Sequence, residues 1–307
     1  MRILLFLLLL VASLWAEAKI TPNEVYSQVM LIRHEVYALL DHYGVKYDKE
    51  EIKRRSKVVA NLKPRDVWQK TYEIAVKINI LRKAHGLPVI EPVNMAPVLH
   101  LNPDLVYEQT QRLLTELKIF ETREEISIAH PKAKRYGGKV PLDVFIALTQ
   151  VSIALDTLNG KRFTPSYVFG QQMRVYDDIT RILKKLKITD TTIPDKKNPT
   201  DTPSIVFEKS LHVLEKIKRL QISVGIDFVD FSGFKKPGME ITPNEVYTIT
   251  QMIIAELQPI KAYLGIETIT PPATEYSGKT PVEVSQLVGW NLRKLQLIHS
   301  LTQGGIE

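Results

Sequence analysis

The 307-residue chain contains no cysteine. This absence excludes disulfide bonds, thiol nucleophiles, cysteine-ligated metal or haem sites, and lipid attachment through an N-terminal cysteine. The only Asn-x-Ser/Thr sequence, at residues 198–200, has proline at its centre and cannot be glycosylated. Secreted eukaryotic proteins usually carry disulfides, so the sequence is more typical of a Gram-negative bacterial periplasmic protein.

Common catalytic and nucleotide-binding motifs are also missing. The chain has no Gly-x-Ser-x-Gly elbow, no His-Glu-x-x-His pair, no Walker loop and no dinucleotide fingerprint. Residues 137–139, Gly-Gly-Lys, lack the spacing of a phosphate-binding loop, and we interpret them as a flexible turn. We therefore predict a protein that is not an enzyme and uses no cofactor. An enzyme of unknown class remains a third hypothesis.

The N-terminus resembles an export signal. Residues 1–2 carry one positive charge, residues 3–15 are almost wholly apolar, and residues 16–18 read Ala-Glu-Ala. This order predicts a signal peptide over 1–18 and a periplasmic protein beginning at Lys19. An uncleaved anchor is the alternative, but the apolar run is shorter than the roughly 18–20 residues that span a bilayer. We expect no transmembrane segment after cleavage.

Composition places the chain among ordinary soluble globular proteins. Hydrophobic residues make up 44%, charged residues 24%, and the formal net charge is +7. A basic excess favours anionic partners, although the same charge could serve solubility alone. We predict a protein or an anionic envelope component as the partner, and no nucleic acid.

A helix-start motif recurs eight times, and it is identical, Thr-Pro-Asn-Glu-Val-Tyr, at residues 21–26 and 242–247. Every copy has valine three residues after its proline, and seven copies then have an aromatic residue. Only Ser285 departs from the aromatic rule. The motif residues are Pro22, Val25, Tyr26, Pro64, Val67, Trp68, Pro103, Val106, Tyr107, Pro141, Val144, Phe145, Pro165, Val168, Phe169, Pro203, Val206, Phe207, Pro243, Val246, Tyr247, Pro281 and Val284.

Each part of this motif suits the first turn of a helix. Threonine or asparagine precedes six of the prolines and can cap the helix. Proline at the first helical position loses no hydrogen bond, and the acidic residues that follow favour the helix dipole. Apolar residues then recur in steps of four and three, as in bundle helices. Four glycines stand at one constant distance after their prolines and predict helix ends, at Gly44, Gly86, Gly225 and Gly265.

The spacing of the prolines predicts an all-α tandem duplication of a four-helix unit. Matching prolines in the two halves are separated by an almost constant length of chain. The predicted units cover residues 19–161 and 162–307, and their joint at 159–163 is too short for free swinging. Within each unit the connections are long and rich in proline. They could run back along a helix, so that the helices are parallel, or hold short helices, for which residues 48–60 are the best candidate.

Candidate sites are few. His34 and His42 lie eight residues apart beside Asp41, but structural zinc wants four converging ligands. We interpret them as surface histidines and predict no metal site. The basic run at 53–57 could bind an anionic surface, although a solvated connection is the favoured interpretation. Departures from the repeat, at Ser285 and at residues 170–172 and 289–291, are where function could be hidden.

These observations predict an exported, non-catalytic helical-repeat protein that binds or scaffolds a partner in the bacterial envelope. The alternative is a periplasmic bundle that senses a small molecule, held inside a bundle or between the units, and passes the signal to a membrane receptor.

Overall fold

The computed structural model describes residues 19–160, 163–235 and 240–302, and these residues form nine helices and no strand. The all-α prediction is therefore confirmed. The predicted signal peptide and residues 161–162 of the predicted joint lie outside the described residues. The helices are α1 Pro22–His42, α2 Lys49–Arg55, α3 Pro64–Ala84, α4 Pro103–Arg123, α5 Pro141–Asn159, α6 Pro165–Lys185, α7 Pro203–Ser223, α8 Pro243–Tyr263 and α9 Pro281–Gln296.

All eight long helices begin at a motif proline. Side chains cap the backbone at Thr21, Asn102, Thr242 and Thr280. The capping prediction fails at Thr164 and Thr202, whose side chains make no cap bond. Where Lys63 stands in the cap position, the Asp66 carboxylate accepts a hydrogen bond from the Lys63 backbone N–H at 2.8 Å. Six helix starts are thus stabilised by the cap residue, by the acidic residue of the first turn, or by both, whereas α6 and α7 have neither.

The motif valines form the core at the start of each helix, since all eight are at most 2% exposed. The aromatic positions divide into two groups. Four of them are buried, at Trp68, Phe145, Phe207 and Tyr247. Three are only half-buried, at Tyr26, Tyr107 and Phe169. The prediction that the aromatic turns inward therefore holds fully for four of the seven copies that have one.

The helix ends follow one backbone geometry. The four predicted glycines have φ between 63° and 73°, the left-handed region that glycine enters without strain. Glu125 and Lys187 stand at the equivalent positions after α4 and α6, counted from the motif prolines, with φ of 55° and 56°. Two helices therefore end in the left-handed conformation without glycine.

The long helices of the second half run in one direction. The motif prolines and valines of α6, α7, α8 and α9 surround a single small void, so their N-termini lie together. In the first half, residues at similar distances from their motif prolines meet across neighbouring helices, which shows that those helices are also parallel. The Gln28 amide, for example, donates to the Tyr107 hydroxyl at 3.0 Å. The connections therefore return along the helices. The connection after α1 also contains a short helix, α2, at the predicted place.

The helices pack with the same pairing in both halves. In the first bundle, α1 and α3 each contact α4 and α5; in the second bundle, α6 and α7 each contact α8 and α9. This pairing is compatible with a tandem duplication. The bundles meet where α3 packs against α8. Arg65 contacts Glu256 and Lys70 contacts Thr248, so these two helices run antiparallel.

Two connections end alike in sequence and in structure. In each, a tyrosine ring packs edge-on at 4.9 Å from the half-buried motif aromatic, and a lysine ammonium lies 4.6 Å from the same aromatic. The residues are Tyr136, Lys139 and Tyr26 in the first bundle, and Tyr276, Lys279 and Phe169 in the second. Gly138 has a φ of 67°, as expected for a turn. These residues fix the returning chain to the bundle.

Helix α5 is the one described helix whose composition bears on the expectation of no transmembrane segment after the signal. It is long and apolar enough to cross a membrane by length and composition alone. In the structure α5 packs against α1, α2 and α3. A buried core helix meets the same criterion as a membrane span, because both are apolar on most sides.

Candidate functional site

A basic groove lies on the outer face of the first bundle, between α1 and the returning segment 131–136. Its volume is about 430 Å³. Four cationic side chains line it, from Arg33, Lys49, Lys132 and Lys134, against a single carboxylate from Asp41. Aliphatic residues of α1 lie between these charges. The groove therefore combines a positive rim with an apolar floor.

Hydrogen bonds from α1 fix the returning segment that forms one wall of the groove. The Ser27 hydroxyl donates to the Lys134 carbonyl at 2.6 Å, and His34 Nε2 lies 2.8 Å from the Ala129 carbonyl. The Lys49 ammonium lies over the Tyr37 ring at 5.7 Å. Because the wall is held through its backbone, the side chains of the two wall lysines extend into solvent.

The histidine pair considered from sequence does not converge. His34 lies in the basic groove, whereas the His42 ring packs edge-on against Tyr43 at 5.0 Å. In residues 19–160, 163–235 and 240–302, no group of three potential metal ligands includes either histidine. The basic run at 53–57 spans the end of α2, where Arg54 donates to Glu51 at 2.9 Å. Part of its charge is thereby neutralised.

A second cavity, of about 490 Å³, lies between the two bundles. One wall comes from α3 and residues 89–92, and the other from the start of α6 and residues 272–276. Tyr72, Tyr167 and Tyr276 give it an aromatic lining. An ion pair between Lys83 and Glu275, at 2.8 Å, crosses from one bundle to the other at this cleft. The cleft is less charged than the groove and larger.

The departures from the repeat have structural explanations. A Cβ at Gly170 would lie 2.8 Å from the Thr274 carbonyl, so glycine allows the connection to approach α6. The Asn291 amide donates to the Gln172 carbonyl at 3.1 Å inside the second bundle. The Ser285 hydroxyl accepts a hydrogen bond from the Lys209 ammonium at 2.7 Å. Each departure thus makes a specific packing or hydrogen-bond contact, and none of the three contacts forms part of the groove.

A buried network of charges joins α3, α5 and α8. The Glu73 carboxylate accepts hydrogen bonds from Lys70 at 2.7 Å, Ser152 at 2.6 Å and Thr248 at 2.9 Å. Lys77 contacts Asp156 at 2.7 Å. The two lysines balance the two carboxylates, as a buried network requires.

The network also shifts the ionisation of its members. Burial lowers the pKa of Lys70, because it disfavours the charged ammonium. Burial opposes ionisation of Glu73 as well, but the Lys70 and Lys77 ammonium groups and the hydrogen bonds lower the pKa of Glu73 to about 2. The bundle interior is therefore not uniformly apolar.

The chain matches no protein-family model, no curated protein and no solved structure. Its function therefore has to be inferred from the chemistry of the groove, the cleft and the buried charges.

Proposed function

We propose that the protein is an exported, non-catalytic binding protein of the bacterial envelope, and that it recognises an anionic envelope component at the basic groove. The observation that carries this proposal is the arrangement of four cationic side chains and one carboxylate around a concave surface of about 430 Å³. Clefts lined by charge of one sign raise the local concentration of the opposite ion.

The two lysines of the groove wall have no basic counterpart in the second half of the sequence. Counted from Pro103 and Pro243, the motif prolines of corresponding helices, Lys132 and Lys134 match the uncharged Pro272 and Thr274. The two basic positions therefore do not serve the bundle fold, which forms without them in the second half.

An anionic phospholipid fits both parts of the groove. The phosphate would pair with the lysines at the rim, and an acyl chain would cover the aliphatic side chains of Met30, Leu31 and Ala38 on α1. Apolar burial contributes about 25 cal/mol per Å², so the floor would add to the charge attraction. An acidic protein segment would use the rim without the floor.

The test compares binding of the chain to vesicles of phosphatidylglycerol and of phosphatidylcholine. We expect salt-sensitive binding to the anionic vesicles only, because exposed charges are screened over about 10 Å at 0.1 M salt. The variant K132E/K134E should weaken this binding at least about tenfold, since reversing two charges turns attraction into repulsion. The matched control is K184E/K185E, which reverses two exposed lysines at the end of α6.

Equal losses in the two variants would show that net charge, and not the groove, causes the binding. Binding to an acidic peptide without binding to anionic vesicles would assign the groove to a protein partner.

The inter-bundle cleft supports a second candidate function, small-molecule sensing. Its volume of about 490 Å³ lies within the roughly 300–1,000 Å³ of small-molecule sites, which favour domain interfaces. A ligand there would raise the melting temperature by mass action. A thermal-shift screen of periplasmic metabolites with no response would contradict this candidate, and Y167A identifies a response that comes from the cleft.

A further inference from the structure

Three potential metal ligands of the first bundle, none of which lines the basic groove, meet in space. Glu35 lies on α1, Glu121 on α4, and His130 on the connection that follows α4. One ligand atom from each lies within 4.8 Å of the others. His130 Nδ1 is 3.0 Å from a Glu35 oxygen, and its Nε2 is 4.0 Å from a Glu121 oxygen. Three different segments therefore converge on one point.

The two carboxylates are deeply buried and incompletely paired. Glu35 is 1% exposed and Glu121 is 3% exposed. Glu35 Oε2 and Glu121 Oε1 are buried without a hydrogen-bond partner among the described residues. Burial first, and then the negative charge of Glu35, raise the pKa of Glu121 to about 7. Two buried carboxylates side by side are unfavourable unless a cation or a proton lies between them.

The equivalent residues of the second bundle show how a buried carboxylate at this position can be paired. Counted from the motif proline of each helix, Asp178 is the equivalent of Glu35, Lys261 is the equivalent of Glu121, and Thr270 is the equivalent of His130. There the Lys261 ammonium donates to Asp178 at 2.9 Å and to Thr270 at 3.0 Å. The Thr270 hydroxyl donates to Asp178 at 2.6 Å. The second bundle thus supplies its own cation to the buried carboxylate.

The first bundle has a carboxylate where the second has that ammonium. We propose that Glu35, Glu121 and His130 bind a divalent transition-metal ion, located where the Lys261 ammonium lies in the second bundle. The two carboxylates carry two negative charges, and a divalent ion balances both. This inference is independent of the proposed function, because none of the three side chains lines the basic groove.

The ligand types narrow the choice of metal. Imidazole is a good ligand for zinc and other first-row transition metals, whereas calcium and magnesium prefer oxygen ligands alone. Three protein ligands with an open fourth position are common for zinc. The side chain of His130 is 46% exposed, so water or a ligand can reach the fourth position. Zinc is therefore the first probe, and manganese, which accepts carboxylates readily, is the second.

The experiment uses the full chain without a histidine tag, stripped with EDTA and titrated with Zn²⁺ or Mn²⁺ by calorimetry. We expect one metal ion per chain and a melting temperature higher by about 5 °C at saturation. E121Q and H130Q should each weaken binding by at least about tenfold, because each removes one of only three protein ligands. H42Q, at an exposed histidine of the same bundle, is the matched control and should bind as the wild type does.

A second variant keeps the test valid if the single variants fold poorly. E121K/H130T gives the first bundle the cation and the hydroxyl that the second bundle uses. We expect it to fold, to lose metal binding and to melt at the same temperature with and without metal. The proposal is wrong if neither ion binds the wild type, if E121K/H130T still binds one ion, or if H42Q loses as much affinity as H130Q.

Discussion

The two bundles have chemically different side chains at equivalent buried positions. In the second bundle, Asp178, Lys261 and Thr270 form a closed and charge-balanced group. In the first bundle, the equivalent group contains two carboxylates and a half-exposed imidazole. The motif valines at the helix starts of both bundles are equally buried. The helical frame is therefore set by the motif, while one position on the third long helix decides whether the bundle contains its own cation.

The outer faces differ in the same sense. The returning segment of the first bundle, residues 131–136, forms one wall of the basic groove. The equivalent segment of the second bundle lines the inter-bundle cleft and lacks the lysines. The first bundle thus has unbalanced charges both in its core and on its outer face, whereas the equivalent positions of the second bundle are charge-balanced or uncharged. Substitutions at the buried cation, at the interface between the bundles and at the helix ends test this contrast.

The largest expected effect comes from removing the cation of the second bundle. In K261M, Asp178 stays buried at 0% exposure and, among the described residues, keeps Arg181 as its one charged partner, at 3.1 Å. Removing one partner of a buried ion pair costs about 3–5 kcal/mol, and Arg181 replaces little of the lost interaction because its side chain is 31% exposed. We expect a loss of about 4 kcal/mol in the free energy of unfolding, measured by urea denaturation.

E121Q in EDTA is the matched change in the first bundle and should have the opposite sign. It removes one of two neighbouring buried carboxylates, so the metal-free protein should become more stable at pH 8. A loss of stability in both variants would show that the two groups are held in the same way, and the contrast would fail.

A substitution in the buried network of charges that joins α3, α5 and α8 should give the next largest effect. Lys70 and Lys77 are buried on α3, and E73Q would remove the carboxylate between them. We expect a loss of about 3 kcal/mol at pH 7 for this reason. The equivalent position on α7, which faces solvent, is His212, and H212Q should change stability by less than about 0.5 kcal/mol.

The effect of E73Q should also depend on pH with a definite sign. The pKa of Glu73 is lowered to about 2 from 4.5, so its ionised form stabilises the folded state above about pH 4.5. This stabilisation is lost as the pH falls towards 2. The difference between wild type and E73Q should therefore shrink between pH 5 and pH 2 in urea denaturation. A difference that stays constant would contradict the assigned charge.

The smallest effect concerns the helix ends without glycine. Lys187 has a φ of 56° and follows α6, where the equivalent residue after α1 is Gly44. K187G should stabilise the protein by about 0.5–1 kcal/mol, because glycine enters the left-handed region without the strain of a side chain. G225A should lower stability by a similar amount. Thermal unfolding of the two variants measures both, and shifts of the same sign would contradict this account.

Local chemistry made much of the fold predictable. Proline, valine and glycine act within one helical turn, so helix starts at Pro22 and Pro243 and a helix end at Gly44 follow from sequence alone. The left-handed ends at Glu125 and Lys187 carry no glycine, but their distance from the proline was a usable indication. The short helix at Lys49–Arg55 was expected from its segment.

Features that depend on the direction and pairing of helices could not be predicted. Long connections permit parallel or antiparallel helices, and only the structure brings α1 beside α4. Without that contact, Glu35 and Glu121 are two acidic residues far apart in the chain. Their correspondence to Asp178 and Lys261, counted from the motif prolines, was present in the sequence. The chemical difference becomes meaningful only once the residues are known to touch.

The most direct test transfers the proposed metal ligands to the second bundle, and asks whether the same helical arrangement can hold either a metal ion or a lysine ammonium. The variant D178E/R181A/K261E/T270H gives the second bundle the residues that the first bundle has at Glu35, Ala38, Glu121 and His130. Zinc titration by calorimetry should then find two ions per chain, against one for the wild type. A folded variant that binds one ion or none would contradict the account.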